Sequence, residues 1–357
     1  MGSFLPDTSL TSLVTGNKIY TYAQTQSGSL LELEGNLERI DAPVDTYSYD
    51  RSTRVVRRYQ NDRITNNAPK FFTPLAAADF TPMKSAQKDT RCLFYVDDSN
   101  ILRSMVSERG TNWKEGSLSQ LTVNVAHYSS LAATTVSNDL YNVICISYQL
   151  PDKSAAIKMV SYSGRDQRWV RTTPDLRDPP LYGTSLTAVL PRPGILVAPA
   201  GTPEARLPVL STLIFITNTT TEPAEIPGFE VDRRPLVFSP HTSLTAVDDG
   251  TRLYCIFKSN GGDIKMIEIV NGRPNVPEKF DQINPTPRSA IAACLSPSKT
   301  QIILFYQSLN KETMKIDLWG LTLYKKTATS ADWIHAEARK LEDCMPSRHI
   351  YFINYIS

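Results

Sequence analysis

One short pattern recurs six times along this chain of 357 residues: a small polar residue, any residue, Leu or Ile, Ala or Thr, then a small residue. It reads Thr8-Ser9-Leu10-Thr11-Ser12, Thr73-Pro74-Leu75-Ala76-Ala77 and Ser129-Ser130-Leu131-Ala132-Ala133. It returns as Thr184-Ser185-Leu186-Thr187-Ala188, Thr242-Ser243-Leu244-Thr245-Ala246 and, more loosely, Ser289-Ala290-Ile291-Ala292-Ala293. Successive anchors, Leu10 to Ile291, stand 65, 56, 55, 58 and 47 residues apart, and 66 residues follow the last. Six units of similar size therefore fill the chain, and a fixed period of this length signals a repeat architecture whose units bury their faces against one another.

Each unit reads as a small antiparallel sheet. After the small-residue segment comes a strand of alternating aromatic and aliphatic character, as in Lys18–Tyr22, Arg91–Tyr95, Val143–Ser147, Leu213–Ile216, Arg252–Phe257 and Gln301–Tyr306. A turn such as Asp97-Asp98-Ser99-Asn100 or Ser259-Asn260-Gly261-Gly262 follows. A third strand is then readable at Ser29–Leu33, Ile101–Val106, Ile157–Tyr162, Ile264–Ile269 and Met314–Thr322, and Trp113, Trp169 and Trp333 mark a fourth in three units. No window sustains a helical period. Six such units predict an all-β fold, a six-bladed β-propeller, with residues 1–357 as one domain. The innermost strands are expected near 8–14, 73–79, 129–135, 184–190, 242–248 and 289–295, where only small side chains fit as strands converge on the axis. The fourth unit is the most degenerate, with a loop-like insertion from Pro191 to Pro208, and the strand-like tail Arg348–Ile356 is expected to pair within the first or last blade and seal the ring.

Composition narrows the function classes. Hydrophobic residues are 41% and charged residues 21%, which excludes wholesale disorder. The 38 basic and 36 acidic residues are well mixed, so no nucleic-acid footprint is expected; the arginine-rich stretch Arg51 to Arg63 reads as a solvated strand and loop. No stretch is long and apolar enough to span a bilayer. The start lacks the pattern of a signal peptide, Met1-Gly2-Ser3 is compatible with a scar left by a removed leader, and one glycosylation sequon stands at Asn218, so the compartment stays open. The five cysteines, Cys92, Cys145, Cys255, Cys294 and Cys344, lack metal-type spacing; buried thiols are expected, with one disulfide as the alternative, and neither metal nor other cofactor is implied.

The inner strands, the aromatic second strands such as Leu93-Phe94-Tyr95 and Leu304-Phe305-Tyr306-Gln307, and turns like Asp98-Ser99-Asn100-Ile101 resemble the fungal fucose-specific lectin propellers over nearly the whole chain. That resemblance implies sugar sites between blades, built from an Arg on the second strand, a Glu on the third and an aromatic ring. Blade by blade, the Arg position falls on Tyr20, Cys92, Cys145, Tyr254 and Ile303, and the Glu position on Glu32, Arg103, Met159, Met266 and Asp317. None of these five units carries both and the fourth does not align, so the sugar sites are expected to be lost. In size, pattern and lost sites the chain also resembles the fungal hetero-Diels–Alder enzymes of tropolone–sesquiterpenoid pathways, which join a quinone-methide-like partner to a terpene alkene.

If chemistry remains, one mouth of the central channel is where the loops entering the inner strands bring side chains together. Those loops carry Phe71 and Phe72, His127 and Tyr128, Tyr182, Pro240 and His241, and Pro287 and Arg288, with Lys70, Arg233 and Arg234 further out. His241, Arg288, Tyr128 and His127 are the candidate catalytic groups, and Phe71, Phe72 and Tyr182 the candidate substrate-binding ones. The bland alternative is that the rings plug the channel and the histidines cap strands. Asp7, Asp79 and Asp248 are candidates for a carboxylate pair. The expectation is a cofactor-free cyclisation catalyst of fungal secondary metabolism acting on a hydrophobic small molecule, compatible with a homodimer. A glycan-binding lectin of altered specificity and a protein-binding scaffold are the rivals.

Overall fold

A computed structural model describes residues 4–36, 48–57, 67–80, 90–108, 112–137, 142–172, 182–189, 212–215, 242–325 and 333–341, apart from 153, 155, 165–166, 260, 271–272, 275–277, 281–282, 311–312 and 336–337. It forms six antiparallel sheets, one per sequence unit. Blade I comprises Thr11–Thr15, Lys18–Gln24, Leu30–Asn36 and Ser48–Arg57; blade II, Ala76–Phe80, Thr90–Val96, Leu102–Glu108 and Lys114–Glu115. Blade III comprises Ala132–Ser137, Asn142–Gln149, Ile157–Ser163 and Arg168–Thr172, and two strands of blade IV are described, Leu186–Val189 and Thr212–Phe215. Blade V is built on Leu244–Asp248, Arg252–Lys258 and Ile264–Val270, and blade VI on Ile291–Leu295, Gln301–Asn310 and Lys315–Lys325, each with two short outer strands. Each innermost strand neighbours the next, and the sixth neighbours the first. The fold is a six-bladed β-propeller.

The recurring motif does two jobs, and only the second half of it is strand. Its first residue, Thr8, Thr73, Ser129, Thr242 or Ser289, is buried. The hydroxyl there accepts a backbone N–H from its own blade's second strand, at its last residue in four blades and three residues before its end in blade VI: Gln24 at 3.0 Å, Val96 at 2.8 Å, Gln149 at 2.8 Å, Lys258 at 3.1 Å and Gln307 at 2.8 Å. The observed inner strands therefore begin two or three residues after the motif does. The following serines sew blade to blade. Ser9 Oγ accepts Leu75 N–H at 3.0 Å, Ser185 Oγ accepts Leu244 N–H at 3.0 Å, and Ser243 Oγ accepts Ile291 N–H at 2.8 Å. Thr187 and Thr245 repeat this one step along, accepting Ala246 N–H and Ala293 N–H at 3.2 Å each. Small hydroxyl residues thus occupy the axis because they replace the hydrogen bonds that inner strand edges lack, as well as for their size. Ser243→Ala leaves the Ile291 N–H without its acceptor and is expected to cost about 1–2 kcal/mol in a urea titration.

Aromatic side chains fill the widening wedge between blades. Trp113 meets Tyr22 edge-on at 5.9 Å, Trp169 meets Phe94 at 6.2 Å, and Trp333 meets Tyr254 at 5.2 Å, so each outer tryptophan packs on a ring of the preceding blade's second strand. The ring closes between blades VI and I. Phe4 bridges Thr25, Leu5 N–H donates to Gln24 O at 2.8 Å, and Gln307 Nε2 donates to Leu5 O at 3.0 Å. Phe4, Leu10, Ile19 and Leu33 pack there with Phe305, Leu318 and Leu341 in one apolar cluster. The tail expected to seal the ring lies outside the described residues, as do the insertion from Pro191 to Pro208, the sequon at Asn218 and Cys344.

Candidate functional site

Among the described residues, five inner strands are entered through a two-residue turn. Its residues are Pro6-Asp7, Phe71-Phe72, His127-Tyr128, Tyr182-Gly183 and Pro287-Arg288. Carbonyl-to-amide bonds three residues apart close four of them: Leu5 to Thr8, Lys70 to Thr73, Ala126 to Ser129 and Thr286 to Ser289. These turns surround one mouth of the channel. A cavity of about 560 Å³ lies there, walled by Asp7, Phe72, His127, Tyr128, Lys258 and Arg288 over a floor of serines and leucines from the recurring motif. Its volume is within the range of small-molecule sites.

The walls differ in character. Blades II to IV contribute an aromatic arc in which His127 lies edge-on to Tyr128 at 5.0 Å and Tyr128 edge-on to Tyr182 at 5.5 Å. The Tyr128 hydroxyl reaches Leu150 O at 3.4 Å. Desolvation first, then Tyr182 and Asp152, raise its pKa, so the phenol keeps its proton at neutral pH and is available as a donor. Lys70 ties the arc's base together, donating to Asn100 Oδ1 at 3.0 Å and His127 O at 3.1 Å. On the other side, blades V and VI contribute Lys258 and Arg288.

Phe72 is the most informative of the rings. It is 58% exposed, and its φ is +57°, a left-handed conformation that costs an ordinary L-residue about 1–2 kcal/mol. Blade IV places Gly183, φ +65°, at the equivalent point. Neither packing nor backbone geometry asks for a phenylalanine here, and a bulky strained residue on a cavity rim points to use of the ring. Phe72→Gly is expected to leave stability within about 1 kcal/mol of the native protein, because relief at φ +57° offsets the entropy glycine adds to the unfolded chain. Thermal unfolding checks this; a large loss would make Phe72 a packing residue.

Of the residues singled out from sequence, Phe72, His127, Tyr128 and Arg288 line the one cavity, and Tyr182 supports it through Tyr128. Phe71 is exposed beside the mouth but is not in its lining. His241, Arg233 and Arg234 lie outside the described residues. The carboxylate pair is not assembled: Asp7 is at the mouth, whereas Asp79 and Asp248 stand at the far ends of their inner strands. Lys258 was missed, although a signal existed, since it occupies the second-strand position bonded to the motif hydroxyl, where blades I, III and VI carry Gln24, Gln149 and Gln307. Cys92, Cys145, Cys255 and Cys294 are free and buried, and burial pushes their thiols up to about 12, which keeps them protonated and inert.

The clefts between blades require one correction and add one observation. Strand register sets Glu32 opposite Tyr22, and the residues in the same relation are Ser104, paired with Phe94, and Gly320, paired with Phe305, in place of Arg103 and Asp317. An Arg–Glu pair is also present, made across two blades and not at the aligned Arg positions. Arg91 of blade II enters the interface from the opposite wall, its Nε 3.1 Å and Nη2 3.2 Å from the two carboxylate oxygens of Glu32 on blade I. Tyr22 donates to the same carboxylate at 2.9 Å, and the guanidinium lies 3.8 Å over the Tyr20 ring. Burial and the Glu32 charge hold the Tyr22 phenol well above its ordinary pKa. At 1% and 0% exposure, Arg91 and Glu32 satisfy each other inside the wall. Between blades II and III a second cavity of about 400 Å³ is lined by Phe80, Phe94, Tyr162 and Trp169, with Cys92 and Ser104 at the positions of the Arg and Glu.

No protein-family model matches this sequence, and no curated protein does. Solved structures do. A mutant of the Aleuria aurantia lectin in complex with Fucalpha1-6GlcNAc superposes with a TM-score of 0.67 at 18% identity, covering 95% of this chain and 97% of that one. AofleA from Arthrobotrys oligospora gives 0.65 at 16% identity, over 95% and 90% of the two chains. The chain shares its fold with the fucose-lectin propellers. The BP39L lectin from Burkholderia pseudomallei follows at 0.52 and 13%, covering 94% of this chain and 86% of that one. At these identities the likeness is one of fold, and function rests on the sites.

Proposed function

We propose that this propeller processes a hydrophobic, ring-bearing small molecule in the channel mouth, as a cofactor-free cyclisation catalyst of the hetero-Diels–Alder type. One observation carries the reading: a cavity of about 560 Å³ whose aromatic arc, Phe72, His127 and Tyr128, faces a cationic arc, Arg288 and Lys258. The aromatic side holds planar reactants by stacking. A cycloaddition between a quinone-methide-like partner and an alkene forms one C–C and one C–O bond with no atom lost. Charge gathers on the quinone-methide oxygen as it proceeds, and hydrogen bonds from Tyr128 or Arg288 stabilise that oxygen. Holding both reactants in one cavity lowers the barrier further, by up to about 7–11 kcal/mol in the best cases. Fungal secondary metabolism is the setting that the likeness to lectin-like Diels–Alder enzymes suggests.

A glycan-binding reading is favoured by the fold and by the Tyr162–Trp169 cleft between blades II and III. Against it stand Tyr20, Cys92, Cys145, Tyr254 and Ile303 at the Arg positions, and an Arg91–Glu32 pair already saturated and buried. Calorimetry separates the two. 2-Naphthol is expected to bind saturably and to lose at least five-fold in affinity on Phe72→Ala, while L-fucose gives no saturable heat. Fucose binding with an indifferent response to Phe72→Ala would reverse the choice.

A further inference from the structure

We propose, resting on the reading of the mouth as the ligand site, that this site takes its ligand as an oxyanion, a ring-bearing carboxylate or phenolate seated between Lys258 and Arg288. The reasoning starts from the seam between successive blades. At the last position of the second strand, Gln24 spans to the next blade's turn with a neutral amide: Nε2 donates to Lys70 O at 2.9 Å and Oε1 accepts Phe72 N–H at 2.8 Å. Gln307 does the same in part, donating to Leu5 O at 3.0 Å. A neutral side chain therefore suffices for the seam.

Blade V has an ammonium instead. Lys258 is 6% exposed, and its Nζ donates to Thr286 O at 2.5 Å and to Pro287 O. Those two bonds reproduce the seam. An ammonium has three donors and no acceptor, so one N–H remains, on a group that lines the cavity. Among the described residues no carboxylate is within ion-pair distance of it. Asp7, the one acid in the lining, acts on it only from a distance, and desolvation outweighs that effect, holding the ammonium below its ordinary pKa. Burying a charge without a counterion is costly, and a chain that needed only the seam would keep glutamine. Arg288 adds a second cation, exposed on the same wall and without a partner among the described residues. With Lys258 and Arg288 against Asp7, the described lining is net cationic on one side, while the arc opposite lines the cavity with the rings of Phe72, His127 and Tyr128. A ring with an oxyanion at one end fits both walls at once.

The test compares 2-naphthoate with its neutral isostere 2-naphthalenemethanol by titration calorimetry on the full chain. The expected result is at least ten-fold tighter binding of the naphthoate, an advantage that shrinks with added salt. Lys258→Gln installs the residue that three other blades carry at this point, so folding is preserved, as a thermal melt verifies. It is expected to remove about ten-fold of naphthoate affinity while changing the alcohol by less than two-fold. Equal binding of the two probes by the native protein, or a preference that survives both Lys258→Gln and Arg288→Gln, would overturn the oxyanion proposal and leave the mouth standing if Phe72→Ala still weakens the alcohol. Failure of both probes to bind would remove the mouth reading and this proposal together.

Discussion

Replacing Arg91 with alanine is expected to cost about 3–5 kcal/mol of stability, the largest effect of any single change in the described blades. The cost comes from what is left behind. Glu32 is fully buried between blades I and II, and without the guanidinium fork its carboxylate keeps, among the described residues, only the Tyr22 hydroxyl, at 2.9 Å. Tyr20 and Trp113 also lose the cation lying 3.8 Å and 5.8 Å from their ring centroids. The double variant Arg91→Leu with Glu32→Met should recover most of the loss, because apolar side chains of similar volume suit a wedge already lined by Leu30, Leu93 and Met105. Urea unfolding followed by tryptophan fluorescence measures both. A single variant within about 1 kcal/mol of the native protein would mean that water reaches the pair and that the interface is more open than its packing indicates.

Arg288→Ala is expected to slow ring formation by about a hundred-fold, with thermal stability unchanged. Arg288 is an exposed turn residue whose neighbours Thr286 and Ser289 keep the turn closed without it, so the fold has little stake in its side chain. The assay supplies an ortho-quinone methide, released in situ from an ortho-hydroxybenzyl alcohol, together with a sesquiterpene alkene, and follows the initial rate of adduct formation. Tyr128→Phe should give a smaller loss, since it removes one phenolic donor and keeps the ring that meets Tyr182 edge-on at 5.5 Å. Native rates in Arg288→Ala would detach the cationic arc from the chemistry.

The architecture was readable because its repeat has a direct physical cause. Thr8, Thr73, Ser129, Thr242 and Ser289 recur because a hydroxyl accepts a second-strand N–H at that point in five of the blades, and Leu10, Leu75, Leu131, Leu186 and Leu244 recur because the next inward position is buried. The mouth followed from the same register, since the residues just before each motif must surround the axis. The blade interfaces were harder to read. Alternation along Arg91-Cys92-Leu93-Phe94-Tyr95 says that odd and even residues face opposite ways, but not which blade each face meets. Cys92 and Phe94 turn to blade III while Leu93 and Tyr95 turn to blade I, taking Arg91 with them to Glu32. A pair made across two sheets has no sequence spacing of its own. Hairpin length misled in the same way: blade VI runs on to Asn310 and Lys315, which slides Gly320, in place of Asp317, opposite Phe305.

The most direct measurement is a crystal structure of the full chain soaked with 2-naphthoate. The naphthalene ring should lie in the channel mouth against Phe72 and Tyr128, with its carboxylate within hydrogen-bonding distance of Lys258 or Arg288. An unoccupied mouth, with the ligand held instead between blades II and III beside Tyr162 and Trp169, would contradict the assignment.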